Sequence, residues 1–283
     1  MKKTGLVLEG GGMRGSYSGG ILEFFMEKDL YFPYVIGVSA GACVASTYIA
    51  KQKGRNKVVF IDYVKHPRYI SLRNLFSEKS IFGMNLIFDE IPNKLYPLDY
   101  ETLRKSKQKF IICATNGLNG RPEYFDKDSC DDIAMVIRAS SSLPFVSQPV
   151  NYKGMILLDG GISDPIPIKK SIQDGNCKNI IILTRHKGYR KKPFKLKWLA
   201  SKLSNYNEQL LNALFNRYRV YNETLDYIDD LEAKNKVFVF RPKEPVKVKR
   251  MEKNTKKLIA LYKQGYKDAK ERYDELMDWL YHC

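Results

Sequence analysis

Val35-Ile36-Gly37-Val38-Ser39-Ala40-Gly41-Ala42 decides how the rest of this chain is read. An apolar run over residues 34–36 passes into G-V-S-A-G and then into a helix-forming stretch, residues 40–51. Strand, sharp turn and helix, with a serine on the turn, is the nucleophile-elbow pattern G-x-S-x-G in the setting that gives it meaning. Gly37 and Gly41 let the backbone fold tightly around Ser39 without Cβ clashes. The helix that follows turns its first N–H groups and the positive end of its dipole toward the serine oxygen. A small-residue turn is the plainer reading of five such residues, so the neighbouring segments have to decide.

Upstream, Gly5-Leu6-Val7-Leu8 has the apolar character of a buried parallel strand. It ends in Glu9-Gly10-Gly11-Gly12-Met13-Arg14-Gly15-Ser16, and a helix follows with Ile21, Leu22, Phe24, Phe25 and Met26. Strand, loop, helix, strand, elbow, helix is a βαβα start, which predicts a mostly parallel sheet with helices on its faces. The glycine loop admits three readings. Gly10, Gly12 and Gly15 satisfy the dinucleotide pattern G-x-G-x-x-G, but that pattern also wants an acid ending the second strand, where G-V-S-A-G stands instead. The second reading is a nest of backbone N–H groups around a developing oxyanion, with Arg14 adding positive charge. The third is a plain tight turn.

Downstream, the pattern predicts a helix at 57–63 and buried strands at 110–115 and 179–184. It predicts a short strand at 123–125, a helix from about 129 to 140, and a hairpin of 149–152 with 155–158. The hairpin delivers Asp159-Gly160-Gly161 to a strand end, the edge where α/β sites form; a turn aspartate in a D-G pair is the plainer alternative. Residues 72–98 are rich in apolar side chains at neither helix nor strand spacing. They read equally as an insertion lining an acyl groove or as short helices packed on the sheet edge. Phe194, Trp198, Leu199 and Leu203, with Lys195, Lys197 and Lys202, suggest a basic amphipathic helix of the kind that lies on membranes or packs on a core. Residues 237–240 read as a late strand and 251–280 as a terminal helix.

The bulk properties bound the class. The chain has 283 residues, 44% hydrophobic and 28% charged, with a net charge of +17. That excess points to an anionic partner, a membrane surface or nucleic acid. From residue 185 onward there are 24 basic and 13 acidic residues, so the charge is concentrated late. Cys43, Cys113, Cys130, Cys177 and Cys283 are odd in number and have no C-x-x-C spacing, which argues against a disulfide framework or structural zinc. Free thiols fit a reducing cytoplasm. Met1-Lys2-Lys3-Thr4 leads straight into a strand without a signal-peptide core, and no window approaches the ~18 apolar residues of a membrane span. The expectation is a soluble cytoplasmic protein, peripheral at most at the inner membrane face, with 1–283 as one domain, its motifs within 5–184 and a basic, helix-rich part at 185–283.

Taken together the motifs resemble the patatin-like phospholipase family, in its compact bacterial intracellular form. Gly10-Gly11-Gly12-Met13-Arg14-Gly15 resembles the family's oxyanion loop, Gly37-Val38-Ser39-Ala40-Gly41 its elbow, and Asp159-Gly160-Gly161 its dyad element. Arg138-Ala139-Ser140 followed by Pro144 is similar to the block that precedes the aspartate. The resemblance implies a three-layer α/β/α fold with a mostly parallel central sheet. It also implies a lipid acyl hydrolase with a Ser39–Asp159 dyad, an oxyanion hole over Gly10–Gly15, an acyl-enzyme, and no metal or organic cofactor. Two other classes remain: a Ser-Asp-His esterase using His186, in the right chain order, and a non-catalytic basic protein that binds membrane or nucleic acid. No nucleic-acid motif accompanies the charge. Oligomeric state is not legible.

Overall fold

Residues 3–144, 146–193 and 207–282 are described by this computed structural model. The basic helix expected at 194–203 lies outside them. In chain order, β1 (Thr4–Leu8) runs through the glycine loop into α1 (Gly15–Glu27), and β2 (Tyr34–Val38) turns at Ser39 into α2 (Ala40–Ile49). β3 (Lys109–Asn116) and β4 (Pro122–Asp126) precede α3 (Ile133–Ser140), and β5 (Val150–Tyr152) and β6 (Met155–Asp159) form the hairpin. β7 (Lys178–Ile182), α4 (Glu208–Ala233), β8 (Val237–Phe240), α5 (Thr255–Glu271) and α6 (Tyr273–His282) follow.

Among the described residues the strands form one sheet, ordered β5-β6-β3-β2-β1-β7-β8, with β4 also paired to β3. β3, β2, β1, β7 and β8 are parallel neighbours, whereas β4, β5 and β6 join antiparallel. β1 lies between β2 and β7, so the loops leaving β1 and β2 meet where the winding reverses, which is where open α/β sheets build sites.

Burial follows the two-residue period of a strand. Leu6, Leu8 and Val35 face a core shared with Tyr17, Ile21 and Leu22 of α1, Val44 and Tyr48 of α2, and Leu258 and Leu261 of α5. Val7 and Ile36 face the other way, against Tyr221, Leu225 and Ile228 of α4. Helices therefore cover both faces, and the three layers are as expected. Each fully buried Leu or Ile contributes about 1.5–3 kcal/mol relative to leaving it in water, which is why the strands are almost purely apolar. Side-chain caps set the helix starts: Asp132 accepts from Met135 N, Asn207 from Leu210 N and Asn254 from Lys257 N. Each such cap is worth about 1 kcal/mol.

Two expectations need correction. The terminal helix is not continuous: it breaks at Arg272, whose guanidinium donates to the Val239 carbonyl at 2.6 Å and sits 4.3 Å over the Phe238 ring. That anchorage to β8 redirects the chain into α6. Residues 72–98 carry a short helix, Asn74–Ser77, and a wide-wound segment, Leu86–Leu95, that packs on the core. The short-helix reading is realised in part, and Phe82, Met84, Ile87 and Phe88 also border a space shared with Ser39. Leu72 and Phe76 stay on the surface, 69% and 93% exposed.

Candidate active site

Ser39 has φ 54° and ψ −123°, a strained backbone for a residue with a side chain. The elbow is held in that shape by its packing. A Cβ on Gly41 would stand 2.4 Å from the Leu8 carbonyl, so only glycine lets α2 start this close to β1. Ser140 supplies the second restraint. Its buried Oγ accepts the Ser39 N–H at 2.8 Å and donates to the Cys113 carbonyl at 2.6 Å, tying the elbow to β3. Ser140→Ala strips a partner from each of two buried backbone groups, at about 1–3 kcal/mol for each group left unsatisfied. The expected result is a melting temperature lower by several degrees and reduced turnover; unchanged values of both would show that this brace is dispensable.

Asp159 ends β6, opposite Ala114 of β3, and is 2% exposed. Its N–H donates to the Ser142 carbonyl at 2.8 Å, its carbonyl accepts from Thr115 Oγ1 at 2.9 Å, and its Oδ1 accepts from Gly161 N at 2.8 Å. The carboxylate is thereby fixed, and no hydrogen bond within the described residues engages Oδ2. Ser39 and Asp159 line one small cavity of about 30 Å³, together with Gly10, Gly11, Gly12, Arg14 and Gly161. That is about the room of one water molecule. Gly15, Gly37, Gly41 and Gly160 do not line it; they shape the turns around it.

The glycine loop corrects one expectation. The tight turn Gly12–Arg14 aims the Met13 N–H at the Arg250 carbonyl, to which it donates at 3.0 Å. Met13 therefore has no amide to offer an oxyanion. The amides of Gly11 and Gly12 have no partner among the described residues. Gly12 holds φ 57°, and a Cβ there would press to 2.6 Å from the same Arg250 carbonyl.

Two larger spaces flank the cavity. On one side, an apolar slot of about 70 Å³ is lined by Met13, Ser39, Ala40, Cys43, Phe60, Phe82, Met84, Ile87 and Phe88. It adjoins a further apolar space of about 50 Å³ through Cys43, Val59, Phe60, Ile87 and Phe88. On the other side, a groove of about 720 Å³ carries Arg14, Arg185, Lys191, Arg217 and Arg250. Burial, reinforced by Arg185 and Arg250, pushes the Arg14 guanidinium down to about 10. Burial and Arg250 push Arg217 down to about 10, while Asp159 acts in the opposite sense. Burial, then Arg217 and Arg250, lower Lys191. Burial also pushes the Cys43 thiol up to about 11, which keeps it an unreactive wall of the slot.

Lys191, Arg217, Tyr221 and Arg250 entered the site without a sequence signal strong enough to find them. The available hint was Arg217 and Tyr221, one turn apart on the same face of α4. Glu9, next to the glycine loop, was equally readable: its carboxylate accepts from Tyr221 OH at 2.7 Å and from Thr184 N at 2.6 Å, joining α4 and β7 to the loop. His186 does not line the cavity. Its ring meets Tyr189 edge-on at 6.1 Å, and its Nδ1 is buried without a partner among the described residues. His66 accepts from Arg68 N and is likewise absent from the cavity wall.

Comparison with known proteins gives two family matches. Residues 207–281 match a domain of unknown function, DUF6363. The uncharacterized protein YjjU of Escherichia coli is 28% identical over 252 residues, covering 86% of this chain and 70% of that protein. The probable lipid hydrolase 463L of Invertebrate iridescent virus 6 is 25% identical over 190 residues, 62% of this chain and 65% of its own length. Among solved structures, VipD from Legionella pneumophila aligns with a TM-score of 0.47 at 14% identity, covering 97% of this chain and 67% of VipD. No described helix is long and apolar enough to cross a membrane. The other family match, to the patatin-like phospholipase model, covers residues 6–171, more than half of the sequence, and includes the glycine loop, the elbow and Asp159: the chain belongs to the patatin-like phospholipase family of lipid acyl hydrolases.

Proposed function

We propose that Ser39 is the nucleophile and Asp159 its base. Ser39 Oγ attacks an ester carbonyl carbon as its proton passes to Asp159. The amides of Gly11 and Gly12 hold the oxyanion, a role in which one lost donor typically costs about 10²–10³ in rate. Collapse expels the alcohol, which takes the proton from Asp159. Water then attacks the acyl-enzyme, gives its proton to Asp159, and the fatty acid leaves as Ser39 recovers its hydrogen. Besides the ester and water, these steps draw on Ser39, Asp159 and the two amides.

The observation that carries this reading is the shared cavity of Ser39 and Asp159 with an apolar slot opening beside it. The slot suits an acyl chain. Residues 185–283 belong to the same catalytic unit in this reading, since Lys191, Arg217 and Arg250 reach the cavity and β8 extends the sheet. The enzyme works in the cytoplasm at the surface of an anionic membrane, held there by its late basic residues.

Purified protein given p-nitrophenyl esters of increasing acyl length tests the slot. kcat/KM should rise from acetyl upward, by up to about fourfold per methylene, until the slot is full, since each buried CH₂ is worth about 0.8 kcal/mol. A flat or falling series would remove the acyl slot from the mechanism. Fatty acid released from phospholipids and lysophospholipids then identifies the ester.

A further inference from the structure

The groove beside Ser39 gathers basic side chains that form no ion pair among the described residues. Arg14, Lys191, Arg217 and Arg250 all border the Ser39 cavity as well as the groove. Elsewhere this protein pairs its arginines, as in Arg68–Glu90, Arg241–Asp229 and Arg272–Glu275. Within the described residues none of these four shared basic side chains has a carboxylate at ion-pair distance. The Nε atoms of Arg14 and Arg217 are sealed from solvent with no partner among the described residues. Two carboxylates border the cavity: Glu9 accepts from Tyr221 and Thr184, and Asp159 accepts from Gly161 through one oxygen and lies near Arg217 without an ion pair. A buried charge without a partner is costly, as for Arg14, 6% exposed, and such arrangements concentrate where a ligand completes them.

The one carboxylate among the described residues that line the groove, Glu9, is engaged by Tyr221 and Thr184 and is not free for a cationic group. Two of the groove's aromatic faces are covered from within: Lys191 Nζ lies 4.3 Å over the Tyr221 ring, and the Arg185 guanidinium 4.4 Å over Tyr189; Phe82, Phe215 and Tyr218 line it as well. A quaternary ammonium, which would seek such faces, meets the basic groups that lie on these two. Guanidinium forks match phosphate oxygens in a bidentate fashion. Resting on the acyl-hydrolase reading, we infer that Arg14, Lys191, Arg217 and Arg250 form a subsite for the phosphate of a lipid whose head group is anionic overall, and that this subsite disfavours zwitterionic choline lipids. Three of its four residues come from the part of the chain beyond residue 185, which gives that part a role in substrate choice.

Short-chain lipids kept monomeric, so that attraction to a charged interface plays no part, provide the test. Wild type should cleave dihexanoyl phosphatidic acid and dihexanoyl phosphatidylglycerol at least about tenfold more efficiently in kcat/KM than dihexanoyl phosphatidylcholine, the scale of one charge-assisted hydrogen bond. Lys191→Gln and Arg250→Gln should reduce that preference toward unity, losing far more on the anionic lipids than on a p-nitrophenyl ester. Arg250→Gln keeps the backbone carbonyl that holds Met13. Lys105→Gln, at a distant exposed lysine, should change neither. Calorimetry with glycerol 3-phosphate and with inorganic phosphate on Ser39→Ala reads the subsite without turnover, and Arg250→Gln in that background should weaken binding at least about tenfold.

Equal cleavage of the three lipids with no binding of either phosphate probe, or a preference that survives both variants, overturns the subsite. Phosphate binding without a lipid preference overturns the head-group assignment in favour of free phosphate. Glycerol 3-phosphate binding by a wild-type protein that hydrolyses no ester overturns the hydrolase reading and leaves the anion site standing.

Discussion

Ser39→Ala should lose all labelling by a fluorophosphonate probe that wild type takes up at one site, and its ester turnover should fall by roughly 10⁴-fold or more. Removing a serine nucleophile leaves only binding and oxyanion stabilisation, and in serine hydrolases that loss reaches about 10⁶ in kcat. The fold should be untouched. Ser39 is held through its backbone, by Ser140 Oγ on its N–H and by Cys43 N on its carbonyl, and alanine keeps both contacts. Deleting Oγ at this strained turn removes chemistry without removing packing. A wild-type protein that the probe ignores, or labelling equal in the two proteins, would sink the hydrolase assignment and favour a binding protein built on this fold.

Asp159→Asn should lower kcat by about 10³–10⁴-fold, the scale seen when a catalytic carboxylate becomes an amide. Asparagine keeps the size of the side chain and the oxygen that accepts from Gly161 N, so circular dichroism and melting should stay close to wild type. What it loses is the capacity to take the serine proton. His186→Ala supplies the contrast. His186 lies off the cavity wall, and the sequence around it, Arg185-His186-Lys187, places no carboxylate beside its ring. That variant should keep at least about half of the activity, since no proton relay of the general acid–base kind passes through it. If His186→Ala instead falls as far as Ser39→Ala while remaining folded, the enzyme is a Ser-Asp-His hydrolase and the dyad is wrong.

The parts of this protein that could be read from its sequence are those whose signals are local. The elbow is five residues long, and its two glycines declare a turn that tolerates no Cβ. β1, β2, β3 and β7 announce themselves as apolar runs because a parallel strand covered on both faces leaves no place for polar side chains. Asp159 was legible because a hairpin and a D-G-G turn fix where its strand ends. Residues that meet only through the fold were not legible. Ser140 lies in a recognisable block, yet nothing in the block says that its hydroxyl grips the Ser39 amide. Arg217 and Arg250 come from segments whose charge reads as ordinary surface until α4 lays one beside Asp159 and the 250 segment brings the other to the glycine loop. Met13 was misjudged for the same reason, because its amide is claimed by a carbonyl remote in the chain. The break at Arg272 depends on a contact to β8 that helical spacing cannot reveal.

The hydrogen bond from Met13 N to the Arg250 carbonyl ties the glycine loop to a segment made much later in synthesis. Tyr17 at the start of α1 makes the same kind of link, donating to Asp268 Oδ2 of α5 at 2.7 Å. At roughly 5–20 residues per second of synthesis, the glycine loop waits on the order of ten to fifty seconds for its anchor to exist. During that interval the serine and its turn are already made, while the loop beside them lacks the backing that sets its shape. Order of synthesis thus matters: a chain that has not yet reached Arg250, or one cut short before it, carries Ser39 and its turn without the carbonyl that backs the glycine loop.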